Sequence, residues 1–215
     1  MRNLNAVILP GLFLAAAPAW VAAADAGTRS WHFTVLLDGK RIGAHDFVVG
    51  RHGDEVVADN VAHFKVVVAF IPVYVYDHEN HEIWRGGCVT SIASRTNDNG
   101  HRVFVQGTLK DQAFQLESSR GALALPACVR TFAYWDESLL REPPLLNAQT
   151  GELQSVTVTP DGVENIGVGA KTLAAKRYSL RAPHLAIDVW YSGEGDWVAL
   201  ESKLESGRML RYEIR

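Results

Sequence analysis

The sequence predicts an all-β fold, an antiparallel meander of about eleven to thirteen strands curled into a half-barrel or barrel, with one short helix or irregular lid segment. Three observations predict it. Apolar residues recur at every second position along most of the chain, the period of a strand with one buried face. Turn-forming pairs punctuate these runs at short, regular intervals, which favours consecutive strands lying side by side. Helical periodicity is nearly missing, and the 215 residues, 47% of them hydrophobic, fit one globular domain.

Taken in order, residues 1–24 read as a secretory signal peptide. Arg2 supplies a positive start, Ala6 to Trp20 an apolar stretch, and Ala22, Ala23 and Ala24 a small-residue cleavage site before Asp25. A membrane anchor is the weaker reading, because Pro10 and Pro18 interrupt the stretch and no basic cluster follows it. No cysteine follows the cleavage site, so a lipid-anchored form is not suggested. The expectation is a single β domain over 25–215, periplasmic or secreted, with no membrane span after cleavage. An outer-membrane barrel is disfavoured, since many strands are short and both faces of Val66 to Val75 are apolar.

Trp31, Phe33, Val35 and Leu37 alternate up to Asp38-Gly39, a hairpin signal. Ile42, Ala44, Asp46 and Val48 form one side of the returning strand, and His52-Gly53-Asp54 is the next turn. A long strand follows from Val56, with Ala58, Asn60, Ala62 and Phe64 on its buried side. Pro72 marks a bend or edge between two strands. Tyr74 to Trp84 alternates again as far as Gly86-Gly87, and Asn97-Asp98-Asn99-Gly100 ends the next strand. Arg102 to Leu109 and Ala113 to Glu117 make a further hairpin.

From Thr131 to Thr150 the alternation stops. Asp136 to Arg141 reads as one or two helical turns capped by Asp136 and stopped by Pro143-Pro144. A connection this long is commonly a lid or binding loop. Strands then resume, with turns at Pro160-Asp161-Gly162, around Gly193 and at Ser206-Gly207. In the last strand Leu210, Tyr212 and Ile214 face inward.

A net charge of −3 leaves no electrostatic footprint for nucleic acid. Cys88 and Cys128 are the only cysteines. In an exported chain they read as a disulfide closing a loop of about 41 residues, worth about 4 kcal/mol; two buried thiols are the alternative. A nucleophile elbow, a phosphate loop, a dinucleotide fingerprint and a C-x-x-C pair are all missing, and no cofactor is expected.

The richest polar cluster runs from Asp77 to Glu82. On a strand, Tyr74, Tyr76, His78, Asn80, Glu82 and Trp84 share one side, while Asp77, Glu79 and His81 share the solvated other. The first side mixes aromatic walls with an imidazole and a carboxylate, the materials of a ligand site, of an acid–base pair, or of a structural network tying sheet to lid. His78 and His81 stand three residues apart outside a helix, so no zinc motif is formed and no metal is expected. His78 and Glu82 are the only catalytic candidates, and neither is assigned a catalytic role. Tyr134, Trp135 and Trp190 complete the candidate ligand-binding set.

Leu37-Asp38-Gly39-Lys40-Arg41-Ile42-Gly43, Tyr74-Val75-Tyr76-Asp77-His78, Phe132-Ala133-Tyr134-Trp135, Leu145 to Gly151 and Asp188-Val189-Trp190-Tyr191 together give a resemblance. The chain resembles an uncharacterised family of secreted bacterial proteins known only as a domain of unknown function, over nearly all of its mature length. More loosely it is similar to the half-barrels of periplasmic lipoprotein carriers. These likenesses imply a β fold and no mechanism. The leading expectation is a protein that binds a lipid or other apolar small molecule in a concave sheet. The alternatives are an envelope assembly partner without a small ligand and, third, an enzyme built on His78 and Glu82. The sequence does not specify the oligomeric state.

Overall fold

The computed structural model describes residues 27–215; the expected signal peptide, 1–24, lies outside them. Eight strands run in sequence order: β1 Arg29–Leu37, β2 Lys40–His52, β3 Glu55–Val68, β4 Ile71–Arg85, β5 Cys88–Asp98, β6 His101–Lys110, β7 Ala113–Ser118 and β8 Gly121–Pro126. A plug follows, made of β9 Arg130–Thr131, a 3-10 turn at Leu139–Arg141, β10 Leu145–Leu146 and β11 Leu153–Gln154. Five more strands complete the chain: β12 Thr157–Val168, β13 Lys171–Ala182, β14 Leu185–Ser192, β15 Trp197–Lys203 and β16 Met209–Ile214.

Thirteen strands form one antiparallel sheet in the order β12-β13-β14-β15-β16-β1-β2-β3-β4-β5-β6-β7-β8. The final strand pairs with the first, Val35 opposite Tyr212 and Leu37 opposite Leu210, so two meanders join into one. The sheet stays open, with β12 and β8 as its edges. A twisted sheet of this width has to curl. It curls around the plug: one core cluster joins Phe33, Trp84, Phe114 and Trp197 of the sheet to Val129, Leu140, Leu145 and Leu146 of the plug. At Gly43, beside a bulge in the β1–β2 pairing, a Cβ would strike the His63 carbonyl oxygen at 1.9 Å, so only glycine allows the bend there.

The plug is fastened rather than free to swing. Cys88 and Cys128 are disulfide-bonded at its entrance, as the cysteine count implied. The hydroxyl of Ser94 donates to the Ala148 carbonyl, that of Thr96 to Gln149 at 3.4 Å, and that of Tyr191 to Tyr134 at 2.8 Å. Gly151, at φ +74°, turns the plug against Ser118, whose Cβ stands 2.7 Å from where a side chain would begin.

Three local expectations are corrected. Pro160-Asp161-Gly162 is not a turn; β12 runs through it, with Asp161 bulged out of the pairing to β13. Its residues have turn chemistry, yet an edge strand accepts both a proline and a bulge. Pro72 likewise lies within β4 at a bulge, Val67 opposite Pro72 and Val66 opposite Tyr74, and the chain reverses earlier, at Ala69-Phe70. The helical segment shrinks to one 3-10 turn, where Asp136 Oδ1 accepts from the Ser138 amide at 2.8 Å. Strand β8, with small residues and most of its length exposed, was not anticipated.

Candidate functional site

Strand β4 lies inside the sheet between β3 and β5. Along it Tyr76, His78, Asn80, Glu82 and Trp84 are all buried, while Glu79 and His81 between them are exposed. The outer side carries solvated cross-strand pairs, His63 with Asp77 at 2.5 Å and His81 with Asp59 at 2.7 Å. The i, i+2 reading of this strand is thus its structure.

A cavity of about 290 Å³ lies between the inner sheet face and the plug. His45, Asn60, His78, Asn80, Glu82 and Thr131 give it a polar floor. Phe47, Tyr134, Trp135, Trp197 and Tyr212 give it aromatic walls. Leu185, Ile187, Leu204 and Leu210 line it toward the end of the sheet that carries the β13–β14 and β15–β16 turns.

Glu82 is the centre of the floor, with 3% of its surface exposed. It accepts from Asn80 Nδ2 at 2.9 Å, Trp84 Nε1 at 2.8 Å and Thr131 Oγ1 at 3.0 Å. Burial raises its pKa, and these three donors oppose the rise. Thr131 belongs to the plug, so the carboxyl also ties sheet to plug. Asn80 commits its amide nitrogen to Glu82, and its Oδ1 is buried without a partner. Should Glu82 carry a proton, the Asn80 amide turns over and its nitrogen becomes the free atom. In either state one polar atom of Asn80 is left over in the cavity wall.

Burial lowers the pKa of His45 to about 3 and that of His78 to about 4, so both rings are neutral at pH 7. His45 Nε2–H donates to Asn60 Oδ1 at 3.0 Å, leaving Nδ1 to accept from the Tyr212 hydroxyl at 3.4 Å. His78 Nδ1 lies 2.9 Å from Thr96 Oγ1. Burial raises the Tyr134 and Tyr212 hydroxyls above the ordinary phenol range. Among the described residues no hydrogen bond joins His78 to Glu82; His78 bonds Thr96 through Nδ1, and Glu82 bonds Asn80, Trp84 and Thr131.

Of the residues singled out from sequence, His78, Glu82, Tyr134 and Trp135 meet at the cavity. Trp84 supports it from behind, bonded to Glu82 and edge-on to Trp135 at 5.6 Å. Tyr76 stacks on Phe64 at 5.1 Å, outside the lining. Tyr74 is half-buried farther along β4. Trp190 stands apart, in a second cluster with Ile166, Val168 and Val198, and donates to Glu164 Oε1 at 2.7 Å. Sequence reasoning missed His45, because β2 turns His45, Phe47 and Val49 inward rather than the Ala44, Asp46 and Val48 side. It also missed Tyr212 and Thr131 as lining residues; Trp197, which reads from sequence as core or as part of an aromatic cage, lines the cavity. Asn60, a lone amide on the apolar side of β3, was the one available signal. No group of three or more His, Cys, Asp or Glu side chains is placed to hold a metal ion among the described residues.

The open curled sheet and the plug it wraps define the chain as an all-β, barrel-like domain. The family described as "Domain of unknown function (DUF6134)" matches residues 33–215, and the chain belongs to it. Among solved structures it is similar to the beta-barrel-like protein of domain of unknown function DUF1849 from Brucella abortus. The TM-score is 0.62 at 10% identity, over 86% of this chain and 94% of that one. At that identity the likeness is one of fold. No curated protein matches the chain.

Proposed function

We propose that the chain is an exported binding protein that holds one small amphipathic molecule in the cavity between sheet and plug. The observation that carries this reading is the unpartnered amide oxygen of Asn80, buried in a cavity wall. A buried polar atom without a partner costs about 1–3 kcal/mol, a cost that a ligand hydroxyl or amine would remove once the Asn80 amide rotates to turn its sealed oxygen toward the cavity. The aromatic walls suit an apolar body, and the neutral imidazoles and Glu82 suit a polar head with hydrogen-bond donors. At about 290 Å³ the cavity sits at the low end of ordinary ligand sites, roughly 300–1,000 Å³. It has room for one compact molecule or one acyl chain, and not for a lipid with several chains. The separate partners of His78 and Glu82 favour binding over acid–base catalysis.

The test is native mass spectrometry of the mature chain purified gently from the periplasm, before and after incubation with dodecanol or dodecylamine. A single added mass that disappears on denaturation is expected, and Asn80→Leu should lose it. A bare mass in every sample would overturn the reading.

A further inference from the structure

The turns of the meander alternate between the two ends of the sheet. The β1–β2, β3–β4, β5–β6, β13–β14 and β15–β16 turns share one end, the end toward which Leu185, Leu204 and Leu210 line the cavity. At that end the β3–β4 hairpin projects beyond its neighbours. Pairing of β2 to β3 stops at Phe64, and pairing of β5 to β4 stops at Tyr76. The free part, Val66 to Val75, has no charged residue. Val67, Val68, Phe70, Ile71 and Val73 are all exposed on it, Phe70 by 99%. The same end exposes Leu204 and Met209.

We infer that this finger docks on an anionic lipid surface and brings the cavity mouth to the membrane, where the amphipathic ligand is taken up or released. The docking stands on the finger alone; the exchange rests on the binding reading above. Four features select a lipid surface. The finger is apolar on both of its faces, and a protein surface would cover only one. It offers five exposed apolar side chains on one hairpin tip, far fewer than the roughly 20–30 residues a side that a stable protein interface engages. Lys40, Arg41, Lys65, Arg102 and Lys203 surround it at the same end, all exposed and all outside the ion pairs found among the described residues; of the acids there, Asp38 is paired with Arg208, Glu205 and Asp77 are bonded to His184 and His63, and Asp98 is left without an ion-pair partner, so the basic groups outnumber the unpaired acid. Finally, Ala69 and Phe70 are held at φ 47° and 68°, a region that costs a side-chain-bearing residue about 1–2 kcal/mol. Phe70 returns nothing to the fold in exchange, since it touches almost no other part of the chain.

The depth is limited. About four residue pairs project, roughly 13 Å at 3.3 Å per residue. The outer backbone edges of the finger have no neighbouring strand, and unpaired amides do not enter hydrocarbon. The finger therefore lies at the boundary of headgroups and acyl chains, as interfacial anchors do.

Flotation of the mature chain with vesicles of phosphatidylcholine, alone or with 30% phosphatidylglycerol, tests the proposal. Binding to the anionic vesicles is expected, weakened by 0.5 M salt and cut at least tenfold by the double variant Phe70→Ser/Ile71→Ser. A Phe70→Trp variant should be quenched by lipids brominated near the headgroup end of the chain. The double variant should still take up dodecanol in solution, which separates failure of docking from failure of the binding reading. Two results would overturn docking: no flotation of the wild type, or equal flotation of wild type and double variant. Self-association relieved by the double variant, without vesicle binding, would overturn it in favour of a second copy of the chain.

Discussion

The two ends of β4 break opposite rules. From Ile71 to Val73 the strand holds apolar side chains in water. From Tyr76 to Trp84 it buries an imidazole, an amide and a carboxyl. Ordinary folding does the reverse at each place. A chain selected for stability alone would exchange the two compositions, and the proposed ligand and lipid surface would each account for one of the inversions. The contrast also separates their energetics. The buried half is joined to the plug and to the core, while the finger is held only at its base, by Tyr74 against the core and by the Asn99 amide on the Val75 carbonyl at 2.8 Å.

The largest expected effect therefore falls in the buried half. Trp84 is 2% exposed, abuts Trp135 of the plug and donates to Glu82. Trp84→Ala should lower the unfolding free energy by about 3–5 kcal/mol, measured by urea titration. A loss below 1 kcal/mol would mean that this half is no more integrated than the finger.

Acid should act next, again only on the buried half. His78 is displaced from 6.5 to about 4, which lends stability that is present above pH 6.5 and lost as pH falls through 4. The size is about 3 kcal/mol between pH 7 and pH 4. His45 works in the same direction, down to about pH 3. Glu82 has the opposite sign. Its raised pKa gives stability below 4.5 that is lost as pH rises through its folded-state value. His78→Asn can keep the contact to Thr96 and does not titrate. It should therefore lose about 3 kcal/mol less than wild type on acidification, and Glu82→Gln should make the acid loss steeper. Parallel curves for wild type and His78→Asn would remove His78 from the account.

Smaller still is the fastening of the plug. Ser94→Ala removes the hydroxyl that holds the Ala148 carbonyl, and about 1 kcal/mol is expected. Hydrogen exchange should quicken across 145–151 and stay unchanged across 66–75. Faster exchange in both segments would mean that plug and finger move as one unit.

Much of this contrast is legible in the sequence, for a physical reason. A strand with one wet face writes its period directly into the residues, so the sharing of one side by His78, Asn80 and Glu82 follows from spacing alone. Turn pairs such as Asp38-Gly39 and Asn99-Gly100 locate hairpins because both positions need positive φ. Bulges defeat the same logic. At Asp161 a turn-like triplet is absorbed into an edge strand, and at Pro72 the reversal comes earlier than the proline. Ala69-Phe70 carries no turn signal at all, so the finger was hidden in an apolar run. The far walls of the cavity depend on β16 returning to β1 and on the plug folding inward. Neither has a local signature, which is why Tyr212 and Thr131 are found as lining residues only in three dimensions.

The smallest expected effect has the reverse sign, and it sharpens the comparison most. Phe70 sits at φ 68° with 99% of its surface exposed. Glycine occupies that conformation without the Cβ clash, at the price of a floppier unfolded chain. The clash costs about 1–2 kcal/mol and the added freedom about 0.5–1, so Phe70→Gly should raise stability by about 0.5–1 kcal/mol, seen as a higher urea midpoint at unchanged slope. The variant should at the same time lose vesicle binding. A gain in stability coupled to a loss of docking means that Phe70 is kept for a surface outside the chain. A loss of stability would place its ring against the protein itself and return the finger to the ordinary fold.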